Sequence, residues 1–328
     1  MSNTIRVGIV GYGNLGKGAE IAISQNPDMT LVAIFTRRDP KAIETVGADA
    51  AVVPFNKIED YQETIDVLLL CGGSANDLPD MSPALVEKFN IVDSYDNHAL
   101  ILDHIERVDK PAKENNKTGI VSVGWDPGLF SMHRLLGEIV LPGGATQTFW
   151  GEGLSQGHSD AVRRVKGVKD AVQYTVPDPD MLDDARKGKG ADLTAAERHK
   201  RICYVVAENE REKERIEREI KSMPHYFADY DTTVHFISED ELKENHSKMK
   251  HGGYVIRSGS TADNHLHKVE FSLALDSNPE FTASVLVAYA RAAHRMNQDG
   301  LTGAKTIFDV PLSYLSPRPM DDVIRDLL

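Results

Sequence analysis

The chain has 328 residues, enough for about two domains of ordinary size. Hydrophobic residues make up 41% and charged residues 27%, a composition that excludes wholesale disorder. The formal net charge of −13 disfavours nucleic acid as a partner, because an acidic surface repels a phosphate backbone. Two cysteines are too few for a disulfide framework. No apolar stretch approaches the length of a membrane span, so we expect a cytoplasmic protein with no membrane partner.

Short apolar runs alternate with helical patterns in the first third of the chain. Because parallel strands need helical crossovers, this alternation predicts a doubly wound parallel sheet that is covered on both faces. A polar helix is expected around residues 99–116. The predicted strands are residues 5–10, 29–35, 67–71, 91–93 and 119–123, and a helix is predicted over residues 14–25.

The pattern changes after about Val123, where longer strands follow one another with fewer helices between them. It predicts an α+β domain with an open mixed or antiparallel sheet, suited to substrate binding or dimerisation. Residues 278–296 form a strong final helical pattern, with Pro279 at a plausible first position. The expected strands of this part are residues 147–151, 200–206, 231–237, 253–259 and 267–275.

A glycine-rich turn follows the first predicted strand and opens the first predicted helix. Gly11-Tyr12-Gly13-Asn14-Leu15-Gly16 matches G-x-G-x-x-G in the strand-to-helix context of a Rossmann-type dinucleotide site. The first glycine permits the tight turn, the second lets the backbone approach the pyrophosphate, and the third lets helix and strand pack closely. The helix N-terminus offers N–H groups to the phosphates. A glycine-rich turn without a ligand is the alternative.

The residues after the second strand favour NADP over NAD. An NAD enzyme usually has Asp or Glu here to bind the ribose 2′-hydroxyl, whereas this chain has Thr36-Arg37-Arg38. Two guanidinium groups and a hydroxyl suit a dianionic 2′-phosphate. The alternative is that the two arginines are ordinary surface charges.

Cys71-Gly72-Gly73-Ser74 follows the third predicted strand, at the sheet edge where doubly wound folds bind ligands. Small residues there allow the chain to pass close to the nicotinamide ribose. A simple turn from strand to loop is an equally good interpretation of these four residues.

Two aspartates follow the ends of successive predicted strands. Asp96 lies in the segment SYDNH and Asp126 in the segment GWDPG. An α-amino acid must present an unprotonated amine before hydride leaves its α-carbon, and a carboxylate can orient the ammonium group and take its proton. We therefore consider both aspartates candidate catalytic residues. The alternatives are a helix cap for Asp96 and a turn residue for Asp126.

Polar residues in the later domain form a second candidate site. Residues 151–160 make a glycine-rich polar loop after Trp150, Arg201 begins a strand, and His251 precedes two glycines. Arginine and histidine together can hold a carboxylate. Each of these residues alone is more often a packing or surface residue.

Asp263, His265 and His267 alternate along one segment and form the best candidate for a metal site. Hydride transfer to nicotinamide needs no metal, however. We therefore predict that the protein holds none.

In their order along the chain, these motifs resemble the meso-diaminopimelate D-dehydrogenase family. GYGNLG alone is generic, whereas SYDNH, WDPG and LSQGHSDA together are specific, and the similarity extends from about Ile5 to the C-terminal region. The resemblance implies a homodimer that oxidises the D-configured centre of meso-2,6-diaminopimelate with NADP. The implied products are L-2-amino-6-oxopimelate and ammonia. The reverse reaction is a reductive amination on a route to lysine.

The resemblance also implies domain boundaries and site residues. It implies that the C-terminal segment belongs to the cofactor domain. The dinucleotide-binding domain then consists of residues 1–122 and 276–328, and the substrate-binding and dimerisation domain consists of residues 123–275. The implied cofactor contacts are Gly11, Tyr12, Gly13, Asn14, Leu15, Thr36, Arg37, Arg38, Cys71, Gly72, Gly73, Ser74, Ser94, Tyr95, Asp96, Val123, Gly124, Trp125, Asp126 and Pro127. The implied substrate contacts are Asp96, Asp126, Trp150, Gln156, Gly157, Thr175, Arg201, His251 and Asn278.

The implied roles divide the substrate contacts into two groups. Asp96 and Asp126 match the positions that face the reacting amine. The positions that hold the distal L-centre match Thr175, Arg201, His251 and Asn278. The sequence alone favours a helix N-cap for Asn278, because Pro279 follows it, so we rank it below Arg201 as a ligand.

Two other functions agree with part of the pattern. The chain can be a dehydrogenase of another D-amino acid or of a hydroxy compound, which a panel of substrates would distinguish. It can also be a non-catalytic NADP-binding sensor. The pair Asp96 and Asp126 argues against a sensor, because a sensor has no use for two carboxylates beside the nicotinamide.

Overall fold

The computed structural model describes residues 4–47, 50–224, 226–263 and 265–328, which form two compact units. The first unit contains the described residues up to Met132 together with Pro279–Leu328, and the second contains His133–Asn278. The predicted domains change at residues 122/123 and 275/276, whereas the chain passes between the units at residues 132/133 and 278/279.

Strands and helices alternate in the first unit, and strands predominate in the second. The strands are β1 (Ile5–Val10), β2 (Met29–Thr36), β3 (Ala51–Pro54), β4 (Val67–Leu70), β5 (Asn90–Asp93), β6 (Thr118–Ile120), β7 (Ala145–Trp150), β8 (Gly153–Leu154), β9 (Val168–Pro177), β10 (His199–Ala207), β11 (Asp231–Phe236), β12 (His251–Ser260), β13 (Leu266–Leu275) and β14 (Gly303–Lys305). The α-helices are α1 (Asn14–Ser24), α2 (Leu78–Val86), α3 (Ile101–Glu114), α4 (Leu129–Val140), α5 (Gln156–Arg163), α6 (Pro179–Arg186), α7 (Ala195–Arg198), α8 (Lys213–Lys221), α9 (Glu239–His246), α10 (Asn278–Gln298), α11 (Leu312–Leu315) and α12 (Met320–Leu327).

The first unit is built on a seven-stranded parallel sheet with the strand order β14-β6-β5-β4-β1-β2-β3. The order reverses between β1 and β4, because the chain extends to one side from β1 and to the other side from β4. Ligands of doubly wound sheets bind at this reversal, outside the carboxyl ends of the strands. The predicted fold class is confirmed, and the sheet places the loops after β1 and β4 next to each other.

Both faces of this sheet are buried, which explains the continuous apolar runs of its strands. Along β4, Val67 and Leu69 belong to one hydrophobic core, and Leu68 and Leu70 belong to another. Successive side chains of a strand point to opposite faces of the sheet. When both faces are covered, both sets of side chains are buried and apolar, so polar and apolar residues do not alternate along the strand. The two cores therefore lie on opposite sides of one sheet.

Helix α10 attaches the C-terminal segment to the first unit. It contributes apolar residues to the core that also contains β1. Arg291 on this helix is 1% exposed and binds both carboxylate oxygens of Asp28, at 2.6 and 2.8 Å, as well as the side-chain oxygen of Asn26 and the carbonyl of Leu315. Hydrogen bonding to Arg291 holds the pKa of Asp28 below its ordinary value. The α10 segment is therefore fixed to the turn before β2 and to the C-terminal segment.

The second unit contains two sheets, where the sequence suggested one. The strands β11-β10-β9-β8 form a mixed sheet in which β10 and β11 are parallel, and β13-β12-β7 form an antiparallel sheet. Strand β9 was not predicted, because Lys169, Asp170 and Gln173 interrupt its apolar pattern, although Gln173 is fully buried.

Candidate active site

The glycine turn after β1 is shaped for an anion. The amide of Gly11 donates to the carbonyl of Phe35 at 2.9 Å, and its φ of +91° favours glycine. A Cβ on Gly16 would lie 2.2 Å from the carbonyl oxygen of Gly11, whereas one on Gly13 would meet no described atom within 4 Å. Gly13 also precedes α1, whose first turn carries no acid. The turn is therefore closely packed on one side and open at the position where a pyrophosphate binds.

A cavity of about 270 Å³ lies beside this turn and is lined by most of the predicted cofactor contacts of the first three loops, but not by Asn14, Leu15 or Ser74. Arg38 donates to the carbonyl of Tyr12 through its guanidinium group, and its backbone N–H donates to Thr36 Oγ1 at 3.1 Å. Two cationic groups and a hydroxyl therefore line the same cavity as the glycine turn. This arrangement fits a dinucleotide with an added 2′-phosphate. The predicted contacts in the lining are Gly11, Tyr12, Gly13, Thr36, Arg37, Arg38, Cys71, Gly72 and Gly73.

Asp77 also lines the cavity, although the sequence analysis did not select it. Its side chain does not cap α2, which begins at the next residue. It accepts instead from the amide of Gly73 at 2.8 Å and from Arg37 at 2.7 Å, and these bonds hold its pKa below the ordinary value, with the Gly73 amide as the larger cause. Asp77 therefore connects the loop after β4 to an arginine of the proposed phosphate site.

The side chain of Tyr12 is buried and turned away from solvent. Its hydroxyl donates to Glu20, and burial followed by this hydrogen bond raises the pKa of Tyr12 to about 12. The amides of Val46 and Gly47 donate to the same pair, Gly47 to Glu20 at 2.7 Å. Tyr12 thus presents its backbone to the cavity and uses its ring to fix the segment that follows Arg38.

The two candidate catalytic aspartates follow β5 and β6 on the same edge of the parallel sheet. Asp96 is exposed, and its amide donates to Ser74 Oγ at 2.8 Å, which connects it to the loop after β4. Asp126 is half-buried in the segment after β6. Both acids are therefore on loops at the carboxyl ends of the strands, where the turn and the cavity are also found.

In the second unit, Arg201 is a buried cation without an acidic neighbour. It is 7% exposed, it donates to Thr175 Oγ1, and its guanidinium carbon lies 4.1 Å from the centre of the Tyr230 ring. Its Nε has no hydrogen-bond partner among the described residues, and no carboxylate is among the groups that perturb its pKa, which burial lowers. A buried arginine in this state is prepared to bind an anion.

Strand pairing brings other predicted substrate contacts near Arg201. Arg201 pairs with Thr175 across β10 and β9, and Gly153 pairs with Thr175 across β8 and β9. A Cβ on Gly153 would lie 2.4 Å from the ring of His251, so this ring rests directly on the Gly153 backbone. Trp150 pairs with Gly253 on β12, two residues after His251. These contacts form one region of the second unit.

Gln156 and Asn278 contact Met249, and each is the first residue of a helix, while Gly157 follows Gln156. The side-chain amide of Gln156, the first residue of α5, lies 3.7 Å from the sulfur of Met249, and the amide of Asn278 donates to the Met249 carbonyl at 2.9 Å. A Cβ added to Gly157 would meet no described atom within 4 Å, so the first turn of α5 is open there. Asn278 is the first residue of α10, so the helix begins one residue earlier than an N-cap at Asn278 requires, and the N-cap prediction is wrong. Its role as a substrate ligand stays a prediction.

Two further residues of this region were missed by the sequence analysis. His158 lies 2.7 Å from Ser155 Oγ, and burial, followed by the nearby charge of Arg201, lowers its pKa to about 4. Gln173 is two residues before Thr175 and so lies on the same face of β9. Its amide atoms are buried and have no partner in the described ranges. The only sequence signal for Gln173 was a polar residue within an apolar segment. The same residue interrupted the apolar pattern, so strand β9 was not predicted.

The described residues contain neither a metal-binding cluster nor a membrane-spanning helix. Within the described ranges, no group of three or more His, Cys, Asp or Glu residues is arranged to hold a metal ion. No helix in the described part of the chain combines the length and hydrophobicity that a membrane span requires.

Comparisons with known proteins identify the family of the chain. A family model described as the diaminopimelic acid dehydrogenase C-terminal domain matches residues 124–277. The chain is 56% identical over 324 residues to the meso-diaminopimelate D-dehydrogenase of Ureibacillus thermosphaericus, with 99% of each chain covered. The solved Corynebacterium glutamicum DAP dehydrogenase in complex with DAP is 46% identical, with a TM-score of 0.89 and 100% of both chains covered. An engineered D-amino acid dehydrogenase bound to NADP+ is 44% identical, with a TM-score of 0.84, covering 99% of this chain and 100% of that one.

The high identity extends over nearly the whole chain, and the family model matches most of the second unit independently. The resemblance predicted from the sequence motifs is therefore confirmed, and the chain belongs to the meso-diaminopimelate D-dehydrogenase family.

Proposed function

We propose that the chain catalyses the reversible oxidative deamination of the D-centre of meso-2,6-diaminopimelate, with NADP as its cofactor. The relatives that were solved with DAP and with NADP+ support this substrate and this cofactor. The observation that carries the proposal is the buried Arg201, which has no acidic partner among the described residues and is therefore suited to bind an anionic group of the substrate. The product is L-2-amino-6-oxopimelate, and in the reverse direction the reaction supplies an intermediate of lysine biosynthesis.

The first unit has residues that fit NADP at each of its parts. Residues 11–15 hold the pyrophosphate at the start of α1. Thr36, Arg37 and Arg38 bind the 2′-phosphate. The loops at residues 71–74, 94–96 and 123–127 supply the remaining contacts. NADP, when bound, accepts a hydride at its nicotinamide ring.

Asp96 and Asp126 act on the reacting end of the substrate. They orient the ammonium group, and one carboxylate, or a water molecule that it holds, takes the proton. The freed nitrogen lone pair forms the C=N bond as the α-carbon loses its hydride. Water then adds to the imine carbon, and ammonia leaves to give the oxo group. The two acids thus control the protonation state of the amine.

The second unit recognises the distal end of the substrate. Arg201 binds the distal carboxylate, and Thr175, His251 and Asn278 hold the unreacted L-centre. Presentation of the L-centre for oxidation would move the distal groups out of register and leave buried polar atoms unpaired, which explains the choice of the D-centre. Trp150, Gln156 and Gly157 complete the substrate contacts.

A panel of substrates tests the proposed function. NADPH formation, followed by absorbance, is expected to be fast with meso-diaminopimelate, absent with LL-diaminopimelate and slower with the DD-isomer, whose distal centre has the wrong configuration. NAD is expected to replace NADP poorly. Equal rates with D-lysine, which lacks the distal carboxylate, would favour the general D-amino acid dehydrogenase. Cofactor binding without NADPH formation from any substrate would favour the sensor.

We also propose that the chain forms a homodimer through the second unit. Helix α4 lies beside β13, because the rings of His133 and Phe271 stack at 3.6 Å, and α4 exposes Ile139 by 67% and Val140 by 56%. Exposed apolar side chains grouped in this way are typical of an interface. Light scattering is expected to give twice the 36.2 kDa of one chain, and Ile139→Asp is expected to give monomers.

The matched control for the dimer is Leu102→Asp, which places a charge on an equally exposed leucine of the first unit. It is expected to remain dimeric. A monomeric wild-type chain, or a dimeric Ile139→Asp variant, would contradict the assignment of this surface. Both cysteines are free thiols, which supports the proposed cytoplasmic location.

A further inference from the structure

Asp93, the last residue of β5, is a fully buried carboxylate with four hydrogen-bond partners. Its Oδ1 accepts from the amide of Tyr95 at 3.1 Å and from the amide of Ser122 at 2.9 Å. Its Oδ2 lies 2.7 Å from Ser82 Oγ and 2.7 Å from His104 Nε2. Oδ1 therefore accepts only from backbone amides, whereas Oδ2 contacts only side chains that belong to helices.

The two backbone partners belong to the loops that carry the proposed catalytic acids. Tyr95 directly precedes Asp96, and Ser122 begins the segment that leads to Asp126. The backbone carbonyl of Asp93 also accepts from the amide of Val123 at 2.9 Å. One residue thus holds the loop after β5 and the loop after β6.

The backbone around Ser122 is specialised for this contact. Strand β6 ends at Ile120, earlier than the sequence predicts, and Ser122 has a φ of +59°. A residue other than glycine rarely adopts this left-handed conformation unless its surroundings compensate. The compensation here is the pair of hydrogen bonds from residues 122 and 123 to Asp93.

The other carboxylate oxygen connects Asp93 to two helices. Ser82 lies on α2 and His104 on α3, and both side chains are buried. The His104 ring also stacks on Tyr95, with the ring centres 4.0 Å apart and the planes inclined by 15°. The helices therefore restrain the carboxylate, which in turn restrains the two loops.

We infer that Asp93 is a positioning residue that sets the separation of Asp96 and Asp126. This inference rests on the proposed function, in which both acids act on one amine. Asp93 contacts neither substrate nor cofactor and acts through Oδ1, the acceptor that the two loops share. A displacement of about 1 Å at a reacting group can reduce the rate about 100-fold, so the loss of this acceptor reduces turnover.

The test compares variants that separate the two oxygens. Asp93→Ala removes the shared acceptor, and its kcat is expected to fall about 100-fold. The Kd for NADPH, measured by fluorescence, is expected to rise much less than kcat falls, since the two loops supply only part of the proposed cofactor contacts and the glycine turn and the arginines are unchanged. Asp93→Asn keeps an oxygen at Oδ1, and its NH2 group can donate to Ser82 Oγ. This variant is expected to keep kcat within about threefold.

Ser82→Ala is the matched control, because it removes one partner of Oδ2 and leaves both backbone bonds in place. It is expected to lower the midpoint of thermal unfolding but to change kcat little. An equal fall of kcat in Ser82→Ala and Asp93→Ala would overturn the inference. A 100-fold loss in Asp93→Asn would also overturn it, and this variant keeps the test decisive if Asp93→Ala does not fold.

Hydrogen exchange distinguishes failure of this inference from failure of the proposed function. In Asp93→Ala, amides at residues 94–97 and at residues 121–126 are expected to lose protection together, whereas in Ser82→Ala they should keep it. Loss of protection in only one loop, or in neither, would overturn the inference whatever the enzyme oxidises. If the expected exchange pattern is found but the chain does not oxidise diaminopimelate, the proposed function is rejected. The inference that Asp93 holds both loops is then still supported.

Discussion

Replacement of Asp126 by asparagine is expected to lower kcat for meso-diaminopimelate by about 10²- to 10⁴-fold, the usual contribution of a general base. Asparagine has nearly the same shape as aspartate, so it leaves the half-buried loop intact. Its amide cannot accept the proton of the ammonium group, however, and it does not attract that cation. The expected signature is a large loss of turnover with a much smaller change in the Kd for NADPH, because the contacts proposed for the glycine turn and the arginines are unchanged.

The measurement combines steady-state NADPH formation with fluorescence titration of NADPH. Asp103→Asn is the matched control, because Asp103 is an exposed acid in the first turn of α3 and no role in catalysis is proposed for it. That variant should have the activity of the wild-type chain. Turnover close to the wild-type value in Asp126→Asn would remove Asp126 from the mechanism and leave Asp96 as the candidate base.

Arg201→Met is expected to lower kcat/KM for meso-diaminopimelate by about 30- to 5,000-fold, chiefly through KM. The range corresponds to about 2–5 kcal/mol for the truncation of one member of a buried, hydrogen-bonded charge pair. NADPH binding should not change, because the cofactor contacts lie in the first unit. D-amino acids without a distal carboxylate should lose much less, since they present no anion to Arg201.

The stability of the same variant provides a second readout. Arg201 is 7% exposed and has no acidic neighbour, so the chain without substrate carries the desolvation cost of its charge. Methionine has a similar length and no charge, and the thermal midpoint of Arg201→Met is expected to stay constant or rise. The exposed Arg211 is the control position, where methionine should alter neither KM nor stability. A variant of Arg201 that loses both NADPH affinity and thermal stability would indicate a folding defect instead.

The first unit was largely predictable because its strands are buried on both faces. The apolar run at residues 67–71 has no polar interruption, the run at residues 5–10 has only the exposed Arg6, and the glycine turn between β1 and α1 has a sequence pattern that follows from close packing. Strand β14 was not predicted, because three residues from the C-terminal segment form a strand only through pairing with β6. This contact depends on the whole fold and not on local preference.

The candidate site shows a similar division. The motifs around Asp96 and Asp126 identified the family, which the comparisons confirm, while the assignment of individual residues to catalysis and binding stays a prediction. Asp77 and Asp93 were missed because an aspartate at the end of a strand or before a helix is common. Only the structure shows that Asp77 binds Arg37 and a loop amide instead of capping α2, and that Asp93 is shared by two loops.

The return of the C-terminal segment to the first unit has a consequence for the order of synthesis. Helix α10 supplies Ala283, Leu286 and Ala290 to the core around β1, and β14 forms one edge of the parallel sheet. A ribosome releases these residues only after the entire second unit. The nascent second unit is contiguous and has all of its strands available, whereas the dinucleotide-binding sheet stays incomplete on the translating ribosome. The parallel sheet of the first unit can therefore be completed only after the second unit has been synthesised.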